Sequence, residues 1–229
     1  MNNNMIRVTI MWMILIFPYS ASALEEGDWI IRIGGAKINV MASSDELITE
    51  GAGVLEGTEI DVGDKSGFAG SLGYMLTENW GIEVLFGQPF SHDVMPNAEL
   101  AGLIGPANIV SFKHIPPVLS LNYHFNVNGG NIRPYIGGGI NYVHFFDEET
   151  TGGLKNLGYT EVAIEDSWGL ALQAGIDYDL SKNIFVNFNV RWVDVNTEAK
   201  IKGGAFGDIS VKNIELDPII LMLTVGTVF

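Results

Sequence analysis

The side chains of this sequence that could do acid–base chemistry are its histidines and carboxylates, and one group of them is consecutive. Ser91, His92 and Asp93 are the residue types of a nucleophile, a base and an orienting acid. Successive side chains of an extended chain point to opposite sides, so these three cannot form a hydrogen-bonded relay. We therefore interpret the triplet as polar loop residues, and we predict no catalytic residue and no enzyme activity.

The other histidines and the acidic runs show no pattern of metal ligands. His114, His124 and His144 are widely separated, without the spacing of a metal site. The acidic runs at 61–64 and 147–149 lack the regular ligand spacing of a calcium-binding loop. We interpret these histidines as rim or lumen residues and the acidic runs as solvated loops, and we predict no metal and no cofactor.

The overall composition excludes several classes of protein. The 229 residues include 27 Asp+Glu against 12 Lys+Arg, a net charge of -15, whereas a nucleic-acid partner requires a basic face. The absence of cysteine excludes disulfides and cysteine-ligated metals. Hydrophobic residues make up 47% of the chain and charged residues only 17%, which argues against a disordered protein.

Residues 1–23 have the pattern of a secretory signal peptide. Arg7 precedes an apolar run at 8–17, and Ala21, Ser22 and Ala23 form a small-x-small cleavage site. A single membrane anchor is the alternative, but a spanning helix needs about 20 apolar residues. We predict an exported protein in which residues 24–229 form one domain.

Beyond residue 23, apolar residues recur with a period of two, which is the pattern of β-strands. In 168–180, Trp168, Leu170 and Leu172 share one face, while Gln173 and Gly175 lie on the other. About eight strands follow, many of them close to the nine to eleven residues that a tilted membrane strand requires. The predicted strands are 29–40, 67–76, 80–88, 118–125, 133–146, 168–180, 184–192 and 219–229.

The connections between these strands alternate in length. Tight turns at 77–79, 126–132 and 181–182 alternate with long, polar, glycine-containing segments at 41–66, 89–117, 147–166 and 197–210. Short turns at one end and long loops at the other are typical of an outer-membrane barrel with its short turns in the periplasm. The predicted fold is all-β, an eight-stranded antiparallel up-and-down transmembrane β-barrel.

The polarity of the two strand faces distinguishes this fold from a soluble barrel. A lipocalin-like barrel has the same number of strands, but it places apolar residues inside and polar residues outside. Here one face carries the large apolar side chains, which we predict to meet lipid, and the other carries amides and charges amid glycines. The polar residues predicted to line the lumen are Arg32, Asn122, Asn141, Gln173, Asn187 and Asn189.

Aromatic residues gather at the strand ends and predict two girdles, one at each membrane interface. Good strand propensity explains the number of aromatic residues but not this placement. We place Trp29, Trp80, Tyr178 and Phe229 near the periplasmic rim, and Tyr142, Trp168 and Trp192 near the outer rim.

Five stretches of sequence, in order along the chain, carry a family resemblance. They are LGYMLTENWGIEVLFGQPF (72–90), HIPPVLSLNYHF (114–125), RPYIGGGINYVHFFD (133–147), EDSWGLALQAGIDYDL (165–180) and LDPIILMLTVGTVF (216–229). In these stretches the chain resembles the OmpW family. The resemblance implies a barrel in the outer membrane of a Gram-negative bacterium, among lipids and lipopolysaccharide, that passes small, mostly hydrophobic molecules. It also implies that the terminal Phe229 is read by the barrel-assembly machinery.

The resemblance extends to a constriction in the lumen, which the family makes apolar. The matching inward positions in this sequence are Leu85, which keeps that character, and Arg191, where the resemblance leads us to expect a bulky aromatic residue. A guanidinium in a narrow interior needs a partner because desolvating it alone is costly. Glu83, inward on the same strand as Leu85, is the nearest candidate by residue type.

Three functional hypotheses remain open at this point. The first, which we prefer, is a passive conduit for small hydrophobic molecules. The second is a non-conducting structural, receptor or adhesin barrel, which the long loops favour, and the third is a lipid-modifying enzyme. An eight-stranded barrel can be filled by its own side chains, and inward glycines such as Gly175 and Gly226 either leave a lumen or ease barrel curvature.

Overall fold

The computed structural model describes residues 24–125, 130–204 and 206–229. The predicted signal peptide at 1–23 lies outside the described residues. Within them, the chain forms sixteen strands and two short helices. In chain order these are β1 (Trp29–Asn39), β2 (Leu47–Thr49), β3 (Gly53–Leu55), β4 (Ile60–Val62), β5 (Lys65–Met75), β6 (Trp80–Gly87), β7 (Phe90–Pro96), α1 (Ala98–Ile104), β8 (Val110–Ile115), β9 (Val118–His124), β10 (Ile132–Thr150), α2 (Gly152–Asn156), β11 (Tyr159–Ile164), β12 (Ser167–Asp179), β13 (Ile184–Val193), β14 (Asn196–Gly203), β15 (Ile209–Glu215) and β16 (Ile219–Val228).

Eight of these strands close into an antiparallel barrel. The order around the ring is β1, β5, β6, β9, β10, β12, β13 and β16. The ring closes where β16 pairs with β1, from Val228 opposite Ile30 to Ile219 opposite Asn39. Each barrel strand lies close to a segment that the sequence predicts, so the predicted eight-stranded fold is confirmed.

The two faces of the barrel wall differ as the period-two pattern predicts. On β12, Leu170 and Leu172 are 60% and 58% exposed, whereas Gln173 and Asp177 are 7% and 0% exposed. Such an exterior would present a large apolar surface to water, but it matches the hydrocarbon of a bilayer, in which a closed barrel satisfies its own backbone hydrogen bonds. The outside of the barrel is therefore a lipid-facing surface.

Helices play little part in the architecture. In the part of the chain that the structure describes, no helix is long and apolar enough to cross a membrane. Both α1 and α2 lie in segments that connect barrel strands.

The segments predicted as long polar loops are largely ordered, and in this respect the prediction was wrong. They contain β2–β4, β7, β8, β11, β14, β15 and both helices, which together we call the outer layer. One sheet of this layer has the order β11, β14, β15, β2 and β3, while β8, β7 and β4 extend from the far part of β10.

The outer layer encloses an apolar core that continues into the barrel. Leu47, Val62, Phe112 and Ile209 are buried there, in one cluster with Leu85 of the barrel. The strands of the layer are short, and β7 and β8 expose polar side chains such as Ser91 and Lys113 between their buried residues, which gives these segments a polar average. The alternate apolar positions are those of a half-buried antiparallel sheet.

Candidate functional site

Charged and amide side chains from opposite walls of the barrel meet inside it, nearer to the short turns than to the outer layer. Glu83 of β6 is at the centre. Its Oε2 accepts from Arg32 Nη1 at 2.8 Å and from Ser71 Oγ at 3.1 Å, and its Oε1 accepts from Arg191 Nη2 at 2.7 Å. Because β6 and β13 are third and seventh in the ring, the contact between Glu83 and Arg191 spans the lumen from wall to wall.

Asp177 of β12 forms a second centre joined to the first. Arg32 Nη2 donates to Asp177 Oδ2 at 2.9 Å, and Asn187 Nδ2 donates to Asp177 Oδ1 at 2.8 Å. The Tyr135 hydroxyl accepts from the amides of Asn187 and Asn189 at 3.1 Å each. Two carboxylates thus bind one arginine between them, supported by a ring of amides.

Gln173 connects the remaining amides to these charges. Its Oε1 accepts from Arg191 Nη2 at 2.6 Å and from Asn189 Nδ2 at 2.9 Å, and its Nε2 donates to Asn122 Oδ1 at 2.6 Å. We call this connected set the lumen network. Its members are Arg32, Ser71, Glu83, Asn122, Tyr135, Gln173, Asp177, Asn187, Asn189 and Arg191.

The lumen network is shielded from solvent and electrically balanced. Arg32, Glu83, Asp177 and Arg191 are 2%, 3%, 0% and 1% exposed, and they carry two positive and two negative charges. Removing water from one such charge alone is costly, and breaking a buried pair leaves an uncompensated charge. The network therefore acts as a unit that closes the lumen at this level.

The structure assigns different places to the residues predicted to line the lumen. Five of the six belong to the lumen network, whereas Asn141 lies further toward the outer layer and donates from Nδ2 to the Asp194 carbonyl at 3.0 Å. Sequence reasoning did not single out Asp177 or Tyr135 as functional residues. The period-two pattern already places both on the polar face, so that pattern was the available signal.

An apolar plug fills the lumen between this network and the short turns. Leu24, Ile30, Met75 and Phe185 are buried in one cluster there. The guanidinium of Arg32 lies 5.4 Å from the centre of the Phe185 ring, within the range of a cation–π contact. The plug and the network close the lumen in two successive layers.

Two of the inward glycines, Gly175 and Gly226, make room for aromatic rings rather than for an open pore. A Cβ at Gly175 would lie 2.3 Å from Tyr135 Cζ, and a Cβ at Gly226 would lie 2.3 Å from Phe185 Cζ. Both distances are far below van der Waals contact. At these two positions, neither an open lumen nor barrel curvature alone accounts for the glycine, because a buried ring occupies the space.

On the side toward the outer layer, the interior becomes apolar directly above the network. Leu85 lies two residues along β6 from Glu83 and is 4% exposed. With Ala36, Ile220 and Met222 it lines a chamber of about 10 Å³, the inner chamber. This chamber is the end of the apolar interior nearest to the charges.

Two further chambers continue outward from this point. The middle chamber, of about 30 Å³, shares Ile38, Pro116 and Ile220 with the inner one. The outer chamber, of about 40 Å³, shares Val62 and Phe112 with the middle one. Each volume is of the order of one water molecule, so the three chambers form a narrow apolar column rather than an open channel.

A larger cavity lies at the outer end of this column. It has a volume of about 310 Å³ and shares Leu47 with the outer chamber. Leu100, Leu157 and Ile209 also line it, and its lining includes the exposed Phe206. We call it the entrance cavity, because it adjoins, at Leu47, the chamber that lies farthest from the lumen network.

The barrel wall is interrupted beside the inner chamber. Pairing between β6 and β9 ends at Leu85 opposite Val118, and pairing between β7 and β8 resumes at Phe90 opposite His114. The unpaired stretch contains Pro89, Pro116 and Pro117, and proline has no N–H with which to continue a ladder. We call this interruption the wall gap.

The wall gap lies between the inner chamber and the lipid-facing side. Phe86 points outward and is 47% exposed, yet Phe86 and Gly87 line the inner chamber together with inward residues such as Leu85. At this level Phe86 and Gly87 are therefore the wall residues between the inner chamber and the lipid-facing side.

Two histidines lie side by side at the middle chamber. His92 of β7 and His114 of β8 both line it, with ring centroids 5.0 Å apart. His92 is 2% exposed, and its Nδ1 lies 2.9 Å from the Gly63 carbonyl, to which it donates. Burial lowers the pKa of His92, and it lowers the pKa of His114 to about 3. Both imidazoles are therefore uncharged at neutral pH.

These positions correct the interpretation of the consecutive triplet. Ser91, His92 and Asp93 lie on β7, not in a loop, and His92 points inward between an exposed serine and a half-buried aspartate. Their alternation rules out a relay, as the sequence predicts. The proximity of His92 to His114 was missed because the two residues lie on different strands.

The other two histidines occupy a lumen and a rim position. The His124 ring lies inside the barrel, 5.1 Å from the ring of Tyr135. His144 is exposed near the outer layer, where its Nδ1 lies 3.0 Å from Asp166 Oδ1. In the described ranges, no group of three or more histidine and carboxylate side chains could hold a metal ion.

The residues predicted for the aromatic girdles lie on the lipid-facing surface at the strand ends. Trp29 packs against Tyr74 with ring centroids 4.9 Å apart, and Trp80 packs against Tyr123 at 5.0 Å, both next to the short turns. At the opposite end, near Trp192, Trp168 packs against Tyr142 at 4.7 Å. Tyr178 and Phe229 are 41% and 63% exposed at the turn end.

Bacterial outer-membrane proteins have the architecture described above. It is a closed antiparallel barrel with an apolar exterior, short turns at one end and an elaborate outer end. Comparison with known proteins agrees. The chain is 35% identical over 207 residues to outer membrane protein W of Vibrio cholerae, which covers 90% of this chain and 91% of that protein. A family model described as the OmpW family matches residues 25–229.

The chain belongs to the OmpW family, and it is located in the outer membrane of a Gram-negative bacterium. Its structure is similar to the crystal structure of OprG from Pseudomonas aeruginosa, with a TM-score of 0.83 and 30% identity over 92% of this chain and 99% of that one. It is also similar to the solid-state NMR structure of AlkL in DMPC lipid bilayers, with a TM-score of 0.68 and 25% identity over 100% of this chain and 97% of that one.

Proposed function

We propose that this protein lets small, mostly hydrophobic molecules enter the outer membrane from the cell surface and leave through the barrel wall. One observation carries the proposal: an apolar column begins at a large cavity in the outer layer and ends above buried charges, beside the wall gap. No enzymatic step is part of this function.

The entrance cavity suits the capture of an apolar solute. Its volume of about 310 Å³ lies at the lower end of the range for small-molecule sites, which are mostly apolar. Leu103 and Phe206, both on its lining, are 65% and 53% exposed. Exposed apolar side chains around an apolar cavity favour solutes that are poorly soluble in water.

The lumen network opposes movement straight through the barrel. A solute on that route would have to separate Glu83 from Arg32 and Arg191, contacts of 2.8 and 2.7 Å. Breaking a buried ion pair typically costs about 3 to 5 kcal/mol, and an apolar solute offers no hydrogen bond in exchange. Beyond the network it would still meet the plug around Phe185.

The wall gap offers the easier exit. Leaving the inner chamber past Phe86 and Gly87 breaks no strand pairing between β6 and β9, because that pairing ends at Leu85. The chamber is only about 10 Å³, so side chains at the gap have to move for each passage. The solute then enters the hydrocarbon of the membrane directly, below the lipopolysaccharide headgroups that surround the outer layer.

The membrane partners follow from the same placement. Outer-membrane lipids and lipopolysaccharide surround the barrel, and we propose that the barrel-assembly machinery reads Phe229. The side chain of Phe229 is 63% exposed directly after the end of β16.

Uptake by intact cells tests this route. Gram-negative cells that produce the protein would be exposed to a hydrophobic probe that fluoresces only in lipid, so that the lipopolysaccharide leaflet is the barrier. Gly87→Trp places a large side chain against Ala69 and Phe90 on the lining of the inner chamber, directly beside the gap, and should remove most of the protein-dependent uptake. Gly35→Trp is the matched control, because Gly35 is exposed on β1 with no atom near a new Cβ in the described structure, and it should leave uptake unchanged.

The network provides the second arm of this experiment. Arg191→Ala should leave probe uptake unchanged if the solute exits above the network. If Arg191→Ala raises uptake while Gly87→Trp has no effect, the solute passes through the lumen and the proposed exit is wrong.

A surface receptor or adhesin barrel is the second candidate. The ordered outer layer, with Leu103 and Phe206 exposed at its cavity, favours it. Absence of protein-dependent uptake in correctly folded wild-type protein would favour this candidate over a conduit.

A further inference from the structure

We infer that His92 and His114 form a binding site for the polar head group of the solute, so that the preferred solutes are amphiphiles with one small hydroxyl or carboxyl group on an apolar body. This inference rests on the proposed function, since it assigns a solute class to the same column.

The middle chamber combines an apolar lining with two imidazoles. Ile38, Val143, Val193 and Ile220 are among its apolar residues, and within the described structure His92 and His114 are the only side chains on its lining with polar atoms. An apolar pocket with a few convergent polar groups is the usual form of a small-molecule site, in which the polar groups fix the orientation of the ligand.

The polar atoms of the two rings are not equally satisfied. His92 Nδ1 donates to the Gly63 carbonyl at 2.9 Å, which holds this ring in place. His114 Nδ1 is buried and, in the described parts of the chain, has no hydrogen-bond partner. Leaving a buried polar atom without a partner costs free energy, so a ligand that supplies a partner stabilises the complex.

Packing alone does not account for histidine at position 114. Its ring lies 6.0 Å from Phe90 and 6.2 Å from Phe145, measured between centroids. A phenylalanine would make the same ring contacts without burying a nitrogen. The nitrogen is the feature that a head-group site explains and ring packing does not.

The size and protonation of the site favour a small uncharged group. The chamber of about 30 Å³ holds about one water molecule, which matches a hydroxyl or carboxyl group but not an alkyl chain. Burial keeps both imidazoles neutral by lowering their pKa values. A neutral imidazole has one donor and one acceptor nitrogen, and it therefore pairs with a hydroxyl or an un-ionised acid.

The position of the site on the column makes it selective. The middle chamber shares residues with both neighbouring chambers, Phe112 on the outer side and Pro116 on the inner side. Every solute that follows the column therefore passes the two imidazoles, and the apolar side chains of the neighbouring chambers, of about 40 and 10 Å³, have to move apart to admit its body.

Binding of 1-octanol and n-octane to protein in lipid nanodiscs tests the inference. Each solute displaces a fluorescent apolar probe, and partition into the lipid cancels in comparisons between variants. The ratio of octanol affinity to octane affinity should be roughly tenfold higher for wild-type protein than for His114→Leu. This factor is the equivalent of one hydrogen bond of about 1.4 kcal/mol. His114→Asn, which keeps a polar atom near the place of Nδ1, should retain most of this preference.

A second measurement does not depend on the variants. With the side-chain nitrogens of histidine labelled with ¹⁵N, octanol should shift the His114 resonances and octane should not. An octanol-to-octane ratio that is the same in all three proteins, with no octanol-specific shift, would overturn the inference while leaving the conduit intact. If neither solute displaces the probe from folded wild-type protein, the proposed function fails together with the inference.

Discussion

Neutralising Glu83 is the most informative single perturbation of the barrel interior. The carboxylate is 3% exposed and accepts from Arg32, Arg191, Gln173 and Ser71. Glu83→Gln keeps the shape but leaves two arginines against Asp177, a net buried charge of one. Removing one partner of a buried ion pair typically costs about 3 to 5 kcal/mol, and we expect a loss of this size in the free energy of unfolding.

Glu165→Gln provides a matched control on the protein surface. Glu165 pairs with Lys200 at 3.2 Å, but the two side chains are 60% and 57% exposed. Exposed pairs contribute about 0 to 1 kcal/mol. Urea titrations of folding into phospholipid vesicles, followed by tryptophan fluorescence and gel mobility, would measure both variants under the same conditions.

A compensating variant separates charge imbalance from lost hydrogen bonds. Glu83→Gln combined with Arg191→Gln restores the balance between Arg32 and Asp177, so it should be more stable than Glu83→Gln alone. If Glu83→Gln and Glu165→Gln lose similar stability, within about 1 kcal/mol, the interior is wet. A wet interior would refute both the burial of the network and the closure of the lumen.

Three further predictions test the placement of other residues. Gly175→Ala should cost about 1 to 3 kcal/mol of unfolding free energy, because the new Cβ collides with the buried ring of Tyr135. Gly138→Ala should be tolerated, because the atom nearest to its new Cβ lies at 3.5 Å. Equal stabilities of the two variants in urea titrations would contradict the packing. Leu172→Arg should cost about 2 to 4 kcal/mol because it puts a charge in lipid, and an unchanged titration midpoint would mean that the outward face is wrong. An epitope tag inserted near Glu56 should be stained on intact cells and one at Lys182 should not; staining at Lys182 without permeabilisation would reverse the orientation.

The barrel strands could be predicted from the sequence because their signal is local and long. In β12, thirteen residues alternate without interruption, so one face is apolar throughout and the register follows. The same alternation places Glu83, Asp177 and Arg191 inside. It does not say which of them meet, because pairs such as Glu83 and Arg191 come from opposite walls and depend on the shear of the closed ring.

The outer layer was missed for a different reason. β7 carries Phe90, His92 and Val94 on its buried face, and the central histidine makes this short pattern resemble a polar loop. Strands of three to eight residues offer few repeats to recognise. The wall gap was not predicted either. Pro116 and Pro117 break the strand pattern, but only the strand pairing of the folded barrel shows that the β6–β9 ladder and the β7–β8 ladder both stop at this level.

The histidine site shows how far sequence reasoning reaches in such a protein. His92 and His114 are separated by a hairpin and have no motif spacing, so the sequence gives no reason to pair them. Their apolar surroundings come from β1, β10, β13 and β16 as well. A site assembled from this many strands becomes visible only when the barrel is closed.

Two measurements on one membrane test the central claim most directly. The claim is that the lumen is closed while apolar molecules leave through the barrel wall. Purified protein in a bilayer with a lipopolysaccharide outer leaflet would be monitored for ionic current and, in parallel, for transfer of a hydrophobic fluorescent probe into the inner leaflet. We predict protein-dependent transfer of the probe without stepwise ionic conductance. Stepwise conductance in the wild-type protein would show a water-filled lumen, and it would contradict both the closed network and the exit above it.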